Sequence, residues 1–276
     1  FHGVAATFPK ATISMSDIDR AEFLKSLVGL TVDEVRSALT RLFMSRKQID
    51  MGSVDLLLEE KRQMVRKSGI LDFVATRVRY EELGGLENLK EWLRLREHYF
   101  STEAREAGLP MPKGVLFTGI SGCGKSLCVQ AIAAAWHMPL LRLDMNLVFG
   151  GSAGTPEAAL GTAIRTAESV APSVLWVDEI ETAMVGTARG GGGADTRIFS
   201  TFLTWMQEKK AFVFVAATAN EIDALPPELL RKGRFDEIFF VDLPTLDERQ
   251  EIFAVHLAKR GIDPRKFDIM SLAQTT

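Results

Sequence analysis

The run Gly119-Ile120-Ser121-Gly122-Cys123-Gly124-Lys125-Ser126 fits the pattern G-x-x-x-x-G-K-[ST], and Leu127 leads on into an Ala-rich stretch. In such a run the glycines let the backbone curl, so that amide N–H groups and the N-terminus of the next helix face phosphate oxygens. Lys125 would reach the β- and γ-phosphates of a nucleotide, and Ser126 would hold Mg²⁺. A Gly-rich strand-to-helix turn without a ligand is the plain alternative. The setting counts against it, because an apolar run at 113–118 precedes the glycines and a helical pattern follows them.

A second set of polar residues completes that chemistry. Val174-Leu175-Trp176-Val177 is apolar throughout, which implies a strand buried on both faces, and it delivers Asp178 and Glu179 at its C-terminal tip. Asp178 would bind Mg²⁺ through water, and Glu179 would orient or deprotonate an attacking water. Alone, two acids after an apolar run are a weak signal. They gain weight by following Lys125 at a distance of 53 residues, with a helix, a strand and a helix between. Asn220 ends the run 212–218, where its amide could hold the attacking water. Arg231 and Arg234 lie in Leu229-Leu230-Arg231-Lys232-Gly233-Arg234-Phe235-Asp236, after a helix start at Leu225-Pro226-Pro227-Glu228. Read alone, the two arginines are equally good surface salt-bridge formers.

These side chains need a scaffold, and the texture from residue 80 onward supplies one. Short apolar runs at 113–118, 139–143, 174–178, 212–218 and 238–241 alternate with helical patterns near 124–136, 155–170, 195–209 and 246–259. Such alternation predicts a parallel sheet with helices on both faces. Thr155-Pro156 is a helix start, and Thr245-x-x-Glu248 is another. The first 78 residues read differently. Capping patterns at Ser16-x-x-Asp19 and Thr31-x-x-Glu34 predict helices near 17–28 and 32–44, and a third is expected over about 53–67, ending at Ser68-Gly69. The run Arg189-Gly190-Gly191-Gly192-Gly193 reads as a loop.

In order and content, Leu83-Gly84-Gly85, the 119–126 loop, Asp178-Glu179, Ala217-Thr218-Ala219-Asn220 and the 229–236 segment resemble an AAA ATPase. The resemblance covers about 80–260. It implies a five-stranded parallel sheet in order 5-1-4-3-2, ATP and Mg²⁺ as ligands, and a ring homo-oligomer, as a hexamer, that remodels a protein partner. It further implies that Leu83 and Gly84 lie against adenine and that Asn220 senses the γ-phosphate. Arg231 and Arg234 would project into a neighbouring subunit's nucleotide. The domain boundaries expected are a helical segment at 1–78, a nucleotide-binding core at 79–243, and the start of a helical lid at 244–276. The stretches 136–144, 234–240, 57–63 and 66–69 resemble an AAA family encoded as a reading frame in algal plastid genomes, with bacterial relatives. In that family a degenerate ATPase-like domain comes first, so residues 1–78 would be its end.

Three departures from the general family pattern bear on output. Residues 151–154 are Gly-Ser-Ala-Gly where an aromatic pore loop is usual, and the nearest aromatic is Phe149. Cys123 stands where Thr is usual, and Glu237 where Arg is frequent. The missing pore-loop aromatic and the degenerate partner domain favour a rival reading to remodelling, an assembly scaffold gated by ATP with slow turnover.

Composition narrows the field further. The chain has 276 residues, with 33 Lys plus Arg against 36 Asp plus Glu, so its net charge is −3. Residues 1–78 carry 12 basic and 10 acidic groups, so neither part has the basic excess of a nucleic-acid binder. That balance argues against a DNA-loading ATPase. Two cysteines make no disulfide framework, and no apolar run reaches the ~20 residues that span a bilayer. The expected setting is a reducing one, the cytoplasm or a plastid stroma.

Overall fold

The computed structural model describes residues 84–276 except 101–103, 105, 151–153, 183–193 and 232, and before them residues 12–13, 35–37, 39–41, 44, 48–49, 59, 61–63, 65–66 and 68–75. Strands β1 (Thr12–Ile13) and β2 (Gln48–Ile49) form a small parallel pair of their own. The main sheet is built from β3 (Leu71–Val74), β4 (Gly114–Gly119), β5 (Leu140–Leu143), β6 (Ser173–Val177), β7 (Val213–Ala219) and β8 (Glu237–Val241). Its order is β3-β5-β6-β7-β4-β8.

The last five of these strands are mutually parallel and lie in the expected succession. The all-parallel, five-stranded sheet is nevertheless corrected to a mixed sheet of six strands, because β3 pairs antiparallel with β5, Leu71 opposite Leu143 and Val74 opposite Leu140. The all-helical reading of the first segment is corrected with it, by β3 and by the β1–β2 pair. The reason is local. Leu71-Asp72-Phe73-Val74 is a four-residue stretch released by the turn at Ser68-Gly69, whose Ser68 hydroxyl accepts from the Leu71 amide at 3.3 Å. Leu71 then enters the core while Asp72 turns out to meet Arg142 at 3.4 Å. Of the helices expected before it, 17–28 lies outside the described residues, whereas the described residues of 35–44 and 59–68 are helical.

Helices α1 (Glu87–Arg96), α2 (Lys125–Ala135), α3 (Met145–Phe149), α4 (Pro156–Val170), α5 (Ala194–Glu208), α6 (Leu246–Lys259) and α7 (Ile269–Thr275) lie between and after these strands. Strand alternation divides the interior in two. Leu116, Leu175, Val177, Val215 and Ala217 point to the face covered by α4 and α5. Val115, Phe117, Val174, Trp176, Phe214 and Ala216 point to the opposite face, covered by α1 and α2. With both faces buried, every residue of β4, β6 and β7 is removed from solvent. Polar chemistry is thereby pushed to the strand ends. Thr155 caps α4, its side chain accepting from the Ala158 amide at 3.3 Å, and Thr245 with Glu248 forms a capping box on α6.

Candidate nucleotide site

Three neighbouring strands, β6, β7 and β4, bring their C-terminal ends together. β4 passes into the loop 119–124 and then α2. Gly119 has φ +136°, and a Cβ there would stand 2.1 Å from the Val241 carbonyl oxygen of β8, so the turn out of the strand admits no side chain. Gly122 and Gly124 also have positive φ and curl the loop over the start of α2. The Lys125 and Ser126 amides precede the first intrahelical bond of α2, which leaves them for an anion.

Lys125 is buried, and its Nζ donates to the carbonyl oxygens of Gly119 at 2.8 Å and Ile120 at 2.9 Å. The ammonium thus sits inside the curl of the loop rather than in solvent. Ser126 follows it in the first turn, and the Leu127 amide donates to the Gly124 carbonyl at 2.9 Å. Ile120, Ser121 and Gly122 form the exposed rim. Cys123 is half-buried against the α1–α2 apolar cluster, where a small side chain fits. On α2 itself, burial pushes the Cys128 thiol up to about 12, which makes it inert rather than nucleophilic.

The acids emerge from β6 beside the end of β7. Asp178 Oδ1 accepts from the Thr218 hydroxyl at 2.6 Å, and the Glu179 amide donates to that same hydroxyl at 3.0 Å. Glu179 has φ +46°, a left-handed conformation that costs a non-glycine residue about 1–2 kcal/mol. It is held there from both sides, since the amide and hydroxyl of Thr182 each donate to the Glu179 carbonyl at 2.8 Å. Asn220 lies where the sequence puts it, at the end of β7. Its Nδ2 donates to Glu179 Oε1 at 3.2 Å, and its amide donates to Glu181 Oε1 at 2.8 Å.

Three residues of this network, Thr218, Glu181 and Thr182, were not singled out by sequence reasoning. Thr218 reads as an ordinary β-branched strand residue, and Glu181 as a surface acid. The available signal was the alternation of β7, which sends Ala217 and Ala219 into the core at the point where the strand leaves it. The second oxygen of Glu181, Oε2, is buried without a hydrogen-bond partner.

Of the remaining predicted residues, Arg231 and Arg234 stand apart from this cluster. Leu83 lies outside the described residues. Gly84 rests on α6 so closely that a Cβ would stand 2.9 Å from the Ile252 amide nitrogen. Beside it, the Gly85 amide donates to Glu251 at 2.7 Å. Arg231 and Arg234 lie in a loop rather than after a helix; residues 227–230 make a single turn. That loop is tied to the opposite, N-terminal end of β4. Asp236 accepts from the amides of Lys113 at 2.5 Å and Gly114 at 2.9 Å, and Lys113 Nζ donates to the Gly233 carbonyl at 3.1 Å. Arg234 donates to the Glu228 carbonyl, and among the described residues neither arginine meets a carboxylate.

A mixed α/β sheet, parallel through five of its six strands, with a phosphate-type loop after one strand and an acidic pair after another defines a P-loop nucleotide-binding domain. Residues 115–243 match the family described as ATPase family associated with various cellular activities (AAA), and residues 2–68 match the SpoVK-like AAA ATPase, second domain. The chain belongs to the AAA ATPase family through its 115–243 domain. It is 46% identical over 253 residues to a protein of Pyropia yezoensis named uncharacterized AAA domain-containing protein ycf46, covering 90% of this chain and 51% of that one. Proteins of the same name from Guillardia theta and Trieres chinensis are 47% and 44% identical, covering 86% and 89% of this chain and 47% and 50% of theirs. The chain therefore spans about half the length of these relatives.

Proposed function

We propose that this chain hydrolyses ATP with Mg²⁺ at a site completed by a neighbouring copy in a ring, as a hexamer, and that turnover remodels a protein partner. The observation that carries this reading is the separation of the two polar groups along β4. Gly114 and Gly119 bound a six-residue strand, which at ~3.3 Å per residue spans ~17 Å. The loop bearing Arg231 and Arg234 is fastened at the Gly114 end, and the phosphate-type loop begins at the Gly119 end. Arginines so placed are remote from their own protomer's pocket and available to the next one.

The ligand fits the residues present. Ser126 and Asp178 are hard oxygen donors of the kind Mg²⁺ prefers, and the Thr218 hydroxyl occupies only one of the two Asp178 oxygens. Bound there, the cation would supply charge neutralisation on the β- and γ-phosphate oxygens. Lys125 exchanges its two carbonyl contacts for phosphate oxygens. Asn220 and Glu179, already in contact, orient a water on the γ-phosphorus, and Glu179 takes its proton. The water oxygen bonds to phosphorus as the bond to the bridging oxygen breaks, giving ADP and phosphate. Arg231 and Arg234 of the adjacent copy stabilise the charge on the transferring group. Residues 1–78 are read as the end of a degenerate ATPase-like domain, a reading that the 2–68 match supports. The algal relatives support a plastid stroma as the setting.

The test is complementation. An Arg234→Ala chain mixed with a Lys125→Ala chain should regain part of the lost ATPase rate, because one keeps an intact pocket and the other an intact arginine. Co-assembly without any recovery would overturn the shared site. A second reading, ATP-gated assembly with slow turnover, has one observation in its favour: Phe149 is packed against the α4–α5 core rather than free to grip a polypeptide. It predicts ATP-dependent oligomers whose hydrolysis does not rise with added unfolded protein.

A further inference from the structure

We infer that Thr218 is a positioning residue for Mg²⁺-dependent hydrolysis, its hydroxyl setting both the Asp178 carboxylate and the Glu179 backbone. The inference rests on the ATPase reading above and concerns how that site is held. Thr218 is 1% exposed, on a strand buried along its whole length. Its hydroxyl carries a single proton. By accepting the Glu179 N–H at 3.0 Å, the oxygen leaves that proton for Asp178 Oδ1, at the short 2.6 Å expected of a hydroxyl on an ionised carboxylate.

One consequence is that Asp178 is fixed about its side-chain torsions through Oδ1, and Oδ2 keeps its lone pairs for a cation or the cation's water. The other consequence concerns the base. The Thr218 carbonyl accepts the Ile180 amide at 2.9 Å, so Thr218 grips residues 178, 179 and 180 in succession. Glu179 is held at φ +46° between this grip and Thr182, and that conformation delivers its carboxylate to Asn220 at 3.2 Å. A residue that merely filled space here would need no hydroxyl, and valine would serve.

The experiment compares Thr218→Val, which keeps the shape and loses the hydroxyl, with Thr218→Ser, which keeps the hydroxyl and loses a methyl. Circular dichroism and thermal melting establish that both fold. A fluorescent ATP analogue is then titrated with EDTA present, and Mg²⁺ is titrated into the complex, alongside kcat and KM for ATP. In Thr218→Val, affinity in EDTA should stay within about twofold of wild type. Its half-saturating Mg²⁺ should rise roughly tenfold and its kcat fall roughly 10–100-fold, the range seen when the outer partner of a metal-binding group is removed. Thr218→Ser should recover both. Equal Mg²⁺ half-saturation in Thr218→Val and wild type, or a serine variant as impaired as valine, would overturn the inference while leaving the ATPase reading intact. A Thr218→Val chain that does not fold passes the decision to Thr218→Ser and Thr218→Cys. Cysteine is a weak donor, so a Mg²⁺ response like that of serine would again overturn the inference. Wild type that neither binds nor hydrolyses ATP would overturn the ATPase reading and this inference together.

Discussion

At the C-terminal end of β4 and its neighbours, Lys125, Asp178, Glu179 and Asn220 are each held by another group of the same protomer. At the N-terminal end the order is reversed. The backbone of the arginine loop is fastened by Asp236 and Lys113, while the guanidinium of Arg231 is exposed and that of Arg234 reaches only a main-chain carbonyl. One end is arranged for chemistry in its own copy. The other fixes a loop and leaves its charged tips for something outside. Under the shared-site proposal, the pocket would be fully ordered yet slow until a second copy docks.

The largest effect should come from the two arginines. Arg234→Ala or Arg231→Ala should lower kcat roughly 10³-fold or more, the range known for arginine fingers, with ATP affinity unchanged within a few-fold. Rate per subunit in wild type should climb with protein concentration, and a rate independent of concentration would break the comparison between the two ends. Next comes the base. Glu179→Gln should bind ATP normally and hydrolyse it roughly 10²–10⁴-fold more slowly, measured as phosphate release in a single turnover. Lys125→Ala should weaken binding by roughly 100-fold, since each charge-assisted bond to phosphate is worth about 1.5–3 kcal/mol.

Smaller effects probe the fastening of the arginine loop. Asp236→Ala removes the acceptor of two backbone amides and should cost about 2 kcal/mol, lowering Tm by roughly 4–8 °C, with a loss of kcat that outruns any loss of ATP binding. Lys209, buried and donating to the Val213 carbonyl near the same strand ends, is pushed down to about 8 by burial. A lysine whose folded value is lowered gives up its proton more readily folded than unfolded. Stability relative to Lys209→Met should therefore rise with pH, by about 1 kcal/mol between pH 7 and 9, read as the difference between the two melting curves.

Much of the pocket was legible before any coordinates because its elements are locally determined. The 119–126 run, the fully apolar β6 and the polar residue ending β7 each carry their signal in a few consecutive residues. The helices at 156–170 and 246–259 were marked by caps that the structure makes with the expected side chains. What escaped was tertiary. Leu71-Asp72-Phe73-Val74 is too short to announce a strand, and its pairing partner lies about 70 residues away. Thr218 looks like any β-branched strand residue until β6 is laid beside it. The turn at 227–230 carries the proline of a helix start, yet the chain must reach Asp236 at the foot of β4, and Gly233 at φ +96° redirects it.

The antiparallel strand β3 has a bearing on how the protein can be cut. A sheet edge with unpaired amides and carbonyls invites pairing with other chains, and β3, only four residues long and carrying the outward Asp72, forms one of the two edges here. Trimming the chain to residues 115–243 would strip that short edge and bare β5. The opposite edge is β8, with Phe240 65% exposed along it. A fragment beginning after residue 84 would exchange an edge carrying the outward Asp72 for one built from Leu140, Leu141, Arg142 and Leu143, and it should precipitate more readily than the full chain.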